Sequence, residues 1–387
     1  MKTVSREDQL ERWRQRYKNR GIEGKAQLLD QLCQDYGYHR KHAIRLLNSA
    51  AKIKKSPPGP ESKYEGLVEV VQRIWVAAEQ PCGKRLAEAL PLWLPHYQWH
   101  YGRLLPGQRK LADEVSAATL DRLLQRVRAQ TPLRGLCGTK PGTLLRQQIP
   151  LQGEVWNEKR AGFLEADSVA HCGSSLAGNF IWSLTFTDLA SAWTSGRVVW
   201  NKGAAGVLEQ TRQIEEQLPF ALLGLDFDNG TEWLNWHLIR YLQERVRPVK
   251  VTRSRPYHKD DNAHVEQKNW MWPRQLLGYG RLEEPGLVEP INRIYREIWE
   301  PLQNFFLPSM KLVEKKRIGA RWKRKHDAPQ TAYQRLLKLK VLTGKKKRQM
   351  RDRYESLDPF VLHEQLEKAL RPVLARAGSQ IKLENSA

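Results

Sequence analysis

Cysteine is scarce and scattered in this chain. Its 387 residues hold four, Cys33, Cys82, Cys137 and Cys172, and no two of them form a CxxC pair. A structural zinc ribbon and a disulfide framework are both excluded as sources of stability, and reduced thiols are expected. No apolar run approaches the ~18 residues of a membrane span. Neither a signal peptide nor a lipidation motif is evident, so a cytoplasmic protein with no membrane partner is expected. A GxxxxGK[ST] segment is also absent, which argues against a nucleotide cofactor. Acid, finally, is in short supply: 42 Asp plus Glu stand against 65 Lys plus Arg, for a net charge of +23. Such an excess calls for a polyanionic partner, and without an anchor for acidic lipid that partner is nucleic acid.

What is present suffices for globular packing, since 40% of the residues are hydrophobic and the length allows two or three cores. The periodicity predicts helices first. Leu10, Trp13 and Tyr17 fall on one helical face. Residues 25–33 and 39–48 form two more helices around a break at Asp35-Tyr36-Gly37-Tyr38, a helix-turn-helix pattern. Arg40, Lys41, His42 and Arg45 on the second of these suit phosphates and guanine edges. A Pro- and Gly-containing linker follows. A second helical unit is then predicted over 64–130, with Ser116 as an N-cap and Arg122 and Arg126 one turn apart on a polar face.

The expected organisation is multidomain. Residues 1–55 and 64–130 form all-α DNA-binding units, and 131–155 form a basic linker. A mixed α/β core spans 156–300, and a basic C-terminal DNA-binding region, a sequence-indifferent clamp, spans 301–387. Within the core, strands are predicted over 162–170, 179–187 and 192–200, a helix over 206–217, and a strand over 220–227. A helix over 232–244, a strand over 249–253 and a helix around Asn262 complete it. Three strands, then alternating helix and strand, is the order of an RNase H-like fold.

Three acids stand out against that frame. Asp167 lies inside the first strand. Asp228 closes the fourth, ahead of Asn229-Gly230. Glu266 sits early in the last helix, behind a basic loop with Arg253, Arg255 and Lys259. Carboxylates on a rigid platform are what two-metal phosphodiester chemistry requires, because hard cations take oxygen ligands. Alternation places Asp226 on the face of Asp228, and Glu165 on that of Asp167. Asp226 therefore competes as a ligand, although the Asn-Gly exit favours Asp228. His171 reads as a satisfied polar residue. The basic loop and Lys268 suit phosphate contacts beside the acids.

With these residues in view, the chain resembles bacterial insertion-sequence transposases of the retroviral-integrase superfamily, the DDE enzymes with an RNase H-like core. Asp228-Asn-Gly-x-Glu-Trp233 is similar to their D-N-G-x-E-F motif, with Trp233 in place of Phe. The 37 residues between Asp228 and Glu266 match the family spacing closely. Thr187-Asp188-Leu-Ala-Ser191 is similar to the family's second-strand ending. Gly37-Tyr-His-Arg-Lys-His-Ala-Ile-Arg-Leu-Leu47 and Glu266-Gln-Lys-Asn-Trp270 resemble an unclassified group of such enzymes. The resemblance spans roughly residues 20 to 345. It implies that Asp167, Asp228 and Glu266 hold two Mg²⁺, with Mn²⁺ as a substitute. It further implies a homo-oligomer on double-stranded DNA, comprising the element's terminal repeats and the target. The rival expectations are a DNA-binding regulator with an inactive core, and a nuclease that cuts without joining.

Beyond the core, residues 311–325 are cationic with interleaved apolar positions, which predicts a small β-unit. Lys345 to Arg348 extend the charge, and a helix is predicted over 359–376.

Overall fold

The computed structural model describes residues 13–48, 63–129, 159–173, 175–227, 233, 235–253, 273–318 and 321–377. The chain forms two compact units, Met1–Ser62 and Lys63–Ala387.

In the first unit, helix α1 (Ile22–Tyr36) ends at Gly37, whose positive φ of 66° makes it the left-handed cap. Helix α2 (Arg40–Asn48) follows. Leu28, Leu29 and Leu32 of α1 bury themselves against Ala43 and Leu47 of α2, with Trp13 and Tyr17 packed alongside. Both helices are about where the periodicity predicts them, α1 being longer at each end.

The second unit opens with helices α3 (Val68–Ala77), α4 (Gly83–Tyr101), α5 (Pro106–Glu114), α6 (Ala117–Leu123) and α7 (Gln125–Ala129). Ser116 caps α6, its Oγ accepting the Thr119 N–H at 3.2 Å. Helix α4 runs through Pro91 and Pro95. An interior proline costs about 3 kcal/mol, and the burial of Leu90, Trp93, Leu94 and Tyr97 along one face offsets it. That face meets the C-terminal region. The Trp93 Nε1–H donates to Phe306 O at 3.1 Å, and the Trp93 ring stands edge-on to Phe360 at 5.0 Å. One continuous apolar cluster runs from Leu67 to Ala377, so the 64–130 and 301–387 segments pack together within this unit.

At the centre lies a five-stranded mixed sheet in the order β3-β2-β1-β4-β5. Strands β1 (Phe163–Ala170), β2 (Ile181–Asp188) and β3 (Thr194–Trp200) are antiparallel neighbours. Strands β4 (Gly224–Phe227) and β5 (Lys250–Arg253) run parallel to β1. The strand predicted over 220–227 is shorter than expected, because 220–223 approach Gly162 instead. Leu223 N–H and Gly224 N–H both donate to Gly162 O, at 2.7 and 3.0 Å. Gly162 has φ +118°, and a Cβ there would meet Ala221 O at 2.4 Å, so only glycine fits. Helices α8 (Ala204–Gln217) and α9 (Trp236–Gln243) follow β3 and β4. Trp233 is fully buried between Phe186 and Phe227.

Strand β3 is an edge whose outer backbone groups would be left unpaired. A long helix closes it. It begins as α10 (Val288–Ile294) and continues through two π turns, Tyr295–Trp299 and Leu302–Phe306. Asn292 accepts the Val198 N–H at 2.6 Å and donates to Val198 O at 3.1 Å. Asn304 does the same for Thr194, at 2.9 and 2.8 Å. Glu300, between them, accepts the Gly196 N–H at 3.1 Å. In a regular helix Asn292 and Asn304 would be rotated apart by about a third of a turn. The π turns absorb extra residues and keep both on the strand edge.

The chain ends with the hairpin β6 (Leu312–Ile318) and β7 (Arg321–His326), then α11 (Ala332–Lys338), α12 (Gly344–Glu355) and α13 (Pro359–Arg376). Hairpin and final helix fall where the sequence predicts them. Among the described residues no helix is long and apolar enough to cross a membrane.

Candidate active site

The register of β1, β4 and β5 sorts the side chains. Leu164 pairs with Leu225, which pairs with Val251, and Ala166 pairs with Phe227, so one face is apolar. Glu165 pairs with Asp226, which pairs with Thr252, so the other face carries the acids. Asp167 lies on this second face by alternation, beside Thr185 of β2, and Thr187 stands beside Glu165.

The acids differ in environment. Glu165 and Asp226 are 1% and 0% exposed. The Thr252 hydroxyl donates to Asp226 Oδ1 at 2.5 Å. Buried carboxylates need such partners, since an unpaired polar group costs about 1–3 kcal/mol. Asp167 is half-buried, and its Oδ1 accepts the N–H of Ser168 at 2.7 Å. Of the sequence-predicted triad, Asp167 falls within the described residues, while Asp228 and Glu266 lie outside them. Among the described residues no three His, Cys, Asp or Glu side chains converge on a metal position. Asp167 is a hard oxygen donor with access to solvent, which fits a Mg²⁺-type ion.

Sequence reasoning missed Thr252 and Thr185, and named Thr187 only within the second-strand ending. Their signal was the alternation of hydroxyl residues along β2 and, in β5, the threonine immediately before Arg253.

Asp188 has a different role from the acids of that face. It is fully buried, and burial pushes its carboxyl up, against the pull of its hydrogen bonds. Its Oδ1 accepts the Gly162 N–H at 2.7 Å, and its Oδ2 accepts the Ser191 N–H and hydroxyl at 2.7 and 2.6 Å. The Asp188–Ser191 segment therefore ties the β2–β3 turn to the start of β1.

His171 continues the acid face beyond β1. It is fully buried, and its Nε2 lies 2.8 Å from the Ser183 hydroxyl, which lies 3.1 Å from the Tyr295 hydroxyl. Burial, with a smaller contribution from the positive charge of Arg274, pushes the imidazole down to about 3. It is a neutral ring at physiological pH.

The candidate DNA contacts divide similarly. Lys41, His42 and Arg45 are exposed on α2, whereas Arg40 is ion-paired with Asp30 of α1. Arg122 is exposed and donates to the Thr119 hydroxyl at 3.1 Å. Arg253, also counted in the basic loop, closes β5 at the end of the strand predicted over 249–253 and is only 7% exposed. The side chain of Arg126, and Arg255, Lys259 and Lys268, lie outside the described residues. Cys33, Cys82 and Cys172 are free thiols, and Cys137 lies outside the described residues.

These features define a mixed α/β protein whose five-stranded mixed sheet, with acids gathered on one face of β1 and β4, is consistent with an RNase H-like core. The chain is 36% identical over 331 residues to the uncharacterized protein y4rM of Sinorhizobium fredii, covering 81% of this chain and 90% of that one. It belongs to the same family as that protein. No family model matches the chain. Among solved structures, the catalytic core domain of BIV integrase is similar at a TM-score of 0.22 and 16% identity, over 27% of this chain. A simian T-cell lymphotropic virus intasome in complex with the PP2A regulatory subunit B56 gamma is similar at 0.27 and 12%, over 42% of this chain. The chain spans 62% and 53% of those two chains, and both likenesses are distant.

Proposed function

We propose that this protein is a DNA transposase or integrase of the three-carboxylate type, which cleaves element ends and joins the 3′-hydroxyl to target DNA. One observation carries the reading. Parallel pairing sets Phe227, the residue before Asp228, beside Ala166, the residue before Asp167. Successive Cα atoms are about 3.8 Å apart, so this pairing limits how far the two acids can separate. Asp226, fully buried and engaged by Thr252, is less suited to a ligand role than its neighbour two residues on.

Asp167, Asp228 and Glu266 would hold two Mg²⁺, for which Mn²⁺ substitutes. When bound, such ions neutralise charge on the phosphodiester and favour a deprotonated attacking oxygen. The chain's own cations do the positioning: Arg255, Lys259 and Lys268 hold phosphates next to the acids, and Arg253 supports that strand end. Lys41, His42, Arg45, Arg122 and Arg126 contact the terminal repeats, with Arg40 held ready by Asp30. Both element ends must be handled together, which calls for a homo-oligomer on double-stranded DNA. The protein would act in the bacterial cytoplasm, on the nucleoid when bound.

The test is a metal-dependent reaction on a plasmid carrying the DNA that flanks the gene, comparing wild type with Glu266→Gln. Joined products that need Mg²⁺ or Mn²⁺ and vanish in the variant are expected. Nicking without joining would make the protein a nuclease. Tight binding with no chemistry from either protein would make it a regulator.

A further inference from the structure

The second unit contains a groove of 940 Å³ between the first turns of α4 and the β6–β7 hairpin. Ala87, Ala117 and Met310 contribute apolar lining, and Lys84 stands on one wall with Lys323 and Lys325 on the other. All three lysines are exposed, and among the described residues none is ion-paired. The groove's acids are fewer in effect than in number. Asp327 is ion-paired with Arg335 and accepts the Lys311 N–H at 2.7 Å, so its charge is already neutralised. Glu314 faces Lys325 across the hairpin, and Glu88 lies on the α4 side. Over residues 312–326 the sequence carries Lys315, Lys316, Arg317, Arg321, Lys323, Arg324 and Lys325 against Glu314 alone.

Three lysines without an ion pair among the described residues stand above the apolar lining. With the other cations of the hairpin they outnumber Glu88 and Glu314, so the local field is positive and attracts an anionic partner. Lys323 and Lys325 are two residues apart on one strand face, about 6.8 Å, a span on the scale of one backbone step of a nucleic-acid strand. Lys84 faces them from the opposite wall. We infer that this groove holds the sugar–phosphate backbone of a DNA strand, gripped by Lys84, Lys323 and Lys325. The inference rests on the reading that DNA is the substrate and adds where one strand runs. These contacts are to phosphate, so they position DNA without reading its sequence.

The experiment uses the full chain and a labelled duplex of arbitrary sequence. Lysine acylation, read by mass spectrometry with and without duplex, is run on wild type. Binding by anisotropy across a salt series is run on wild type, on Lys84→Gln/Lys323→Gln/Lys325→Gln, and on the corresponding triple Lys→Arg variant. The duplex is expected to protect all three lysines. The Gln variant is expected to bind about tenfold or more weakly, with the slope of log K on log salt reduced by roughly 3, whichever duplex is used. The Arg variant should keep wild-type binding. A wild type that binds duplex with these lysines unprotected, and a Gln variant with an unchanged slope, would overturn the groove and leave DNA as the partner. A wild type that binds no duplex would overturn both readings at once. Because the footprint is read on wild type, misfolding of a variant cannot hide the answer.

Discussion

Lowering the pH should unfold this protein partly through His171. The ring is fully buried, and its folded-state value of about 3 lies well below the ordinary 6.5. The folded protein thus holds this proton less tightly than the unfolded chain does. As pH falls below 6.5, the unfolded chain takes up the proton first. The stability contributed by the neutral ring is complete above 6.5 and is lost progressively down to about 3. At pH 5 the loss is about 2 kcal/mol, rising to about 4–5 kcal/mol below pH 3. Urea denaturation of wild type and His171→Gln at several pH values between 8 and 5 measures this. The variant should be less stable at pH 8, because Ser183 loses part of its hydrogen bonding. The gap between the two proteins should then narrow by about 2 kcal/mol on going to pH 5. A gap that stays constant over that range would refute the reasoning, as would a direct NMR titration placing His171 near 6.

Three further outcomes follow from the packing. Asn292→Ala leaves the Val198 N–H and C=O without their side-chain partners, and should lower stability by roughly 2–4 kcal/mol in a denaturation series. Glu300→Ala strands Arg197, whose side chain is fully buried and lies 2.5 Å from Glu300. It should cost about 3–5 kcal/mol, and Glu300→Gln, which keeps an acceptor, should cost less. Arg281 donates to the carbonyls of Cys172, Ser175 and Ala177 at 3.1, 2.9 and 2.7 Å. Arg281→Ala should therefore speed hydrogen exchange in the loop between β1 and β2 while leaving exchange within β4 unchanged.

Much of this was legible in the sequence because period and composition act locally. The alternation through β1 to β3, the break at Gly37 and the Ser116 cap each follow from a few adjacent residues. What was not legible depends on residues far apart in the chain. The strand over 220–227 is trimmed because Gly162, some sixty residues earlier, accepts two N–H groups from 223 and 224. An interior proline ordinarily breaks a helix, yet α4 passes through Pro91 and Pro95 because its apolar face is buried against Phe306 and Phe360. The π turns after Ile294 left no mark in periodicity, since their reason is the spacing of Asn292 and Asn304 along a strand edge. Among the acids, alternation alone could pair Glu165 with Asp167 and Asp226 with Asp228, and the register of β1 on β4 brings Glu165 and Asp226 to one face. Alternation could not distinguish a buried carboxylate held by Thr252 from one that reaches solvent. The hydroxyl partner, not the spacing, separates them.

On the proposed reading, the arrangement around β1 gives Asp167 the rigid platform that two-metal chemistry requires. At the strand's start, Asp188 binds the Gly162 N–H and the Ser191 turn, and Lys311 donates to Leu189 O and to Ala190 O from another segment. At its far end, Arg281 gathers the loop carbonyls, and His171 is locked to Ser183 and Tyr295. Asp167 lies between these two anchors, in a strand paired on both sides with β2 and β4. A carboxylate that must hold its position against the repulsion of neighbouring acids needs a backbone that cannot yield. Placement to within about 0.5 Å is what such sites require. The anchors use no residue of the proposed triad, so weakening one of them should loosen Asp167 without removing any ligand. Asp188→Asn retains the size of the side chain but gives up a carboxylate oxygen that accepts both the N–H and the hydroxyl of Ser191. It should lower joining activity while leaving DNA affinity, which depends on surface cations, near the wild-type value. A loss of both in equal measure would mean that this buried knot serves the fold at large rather than the strand that carries Asp167.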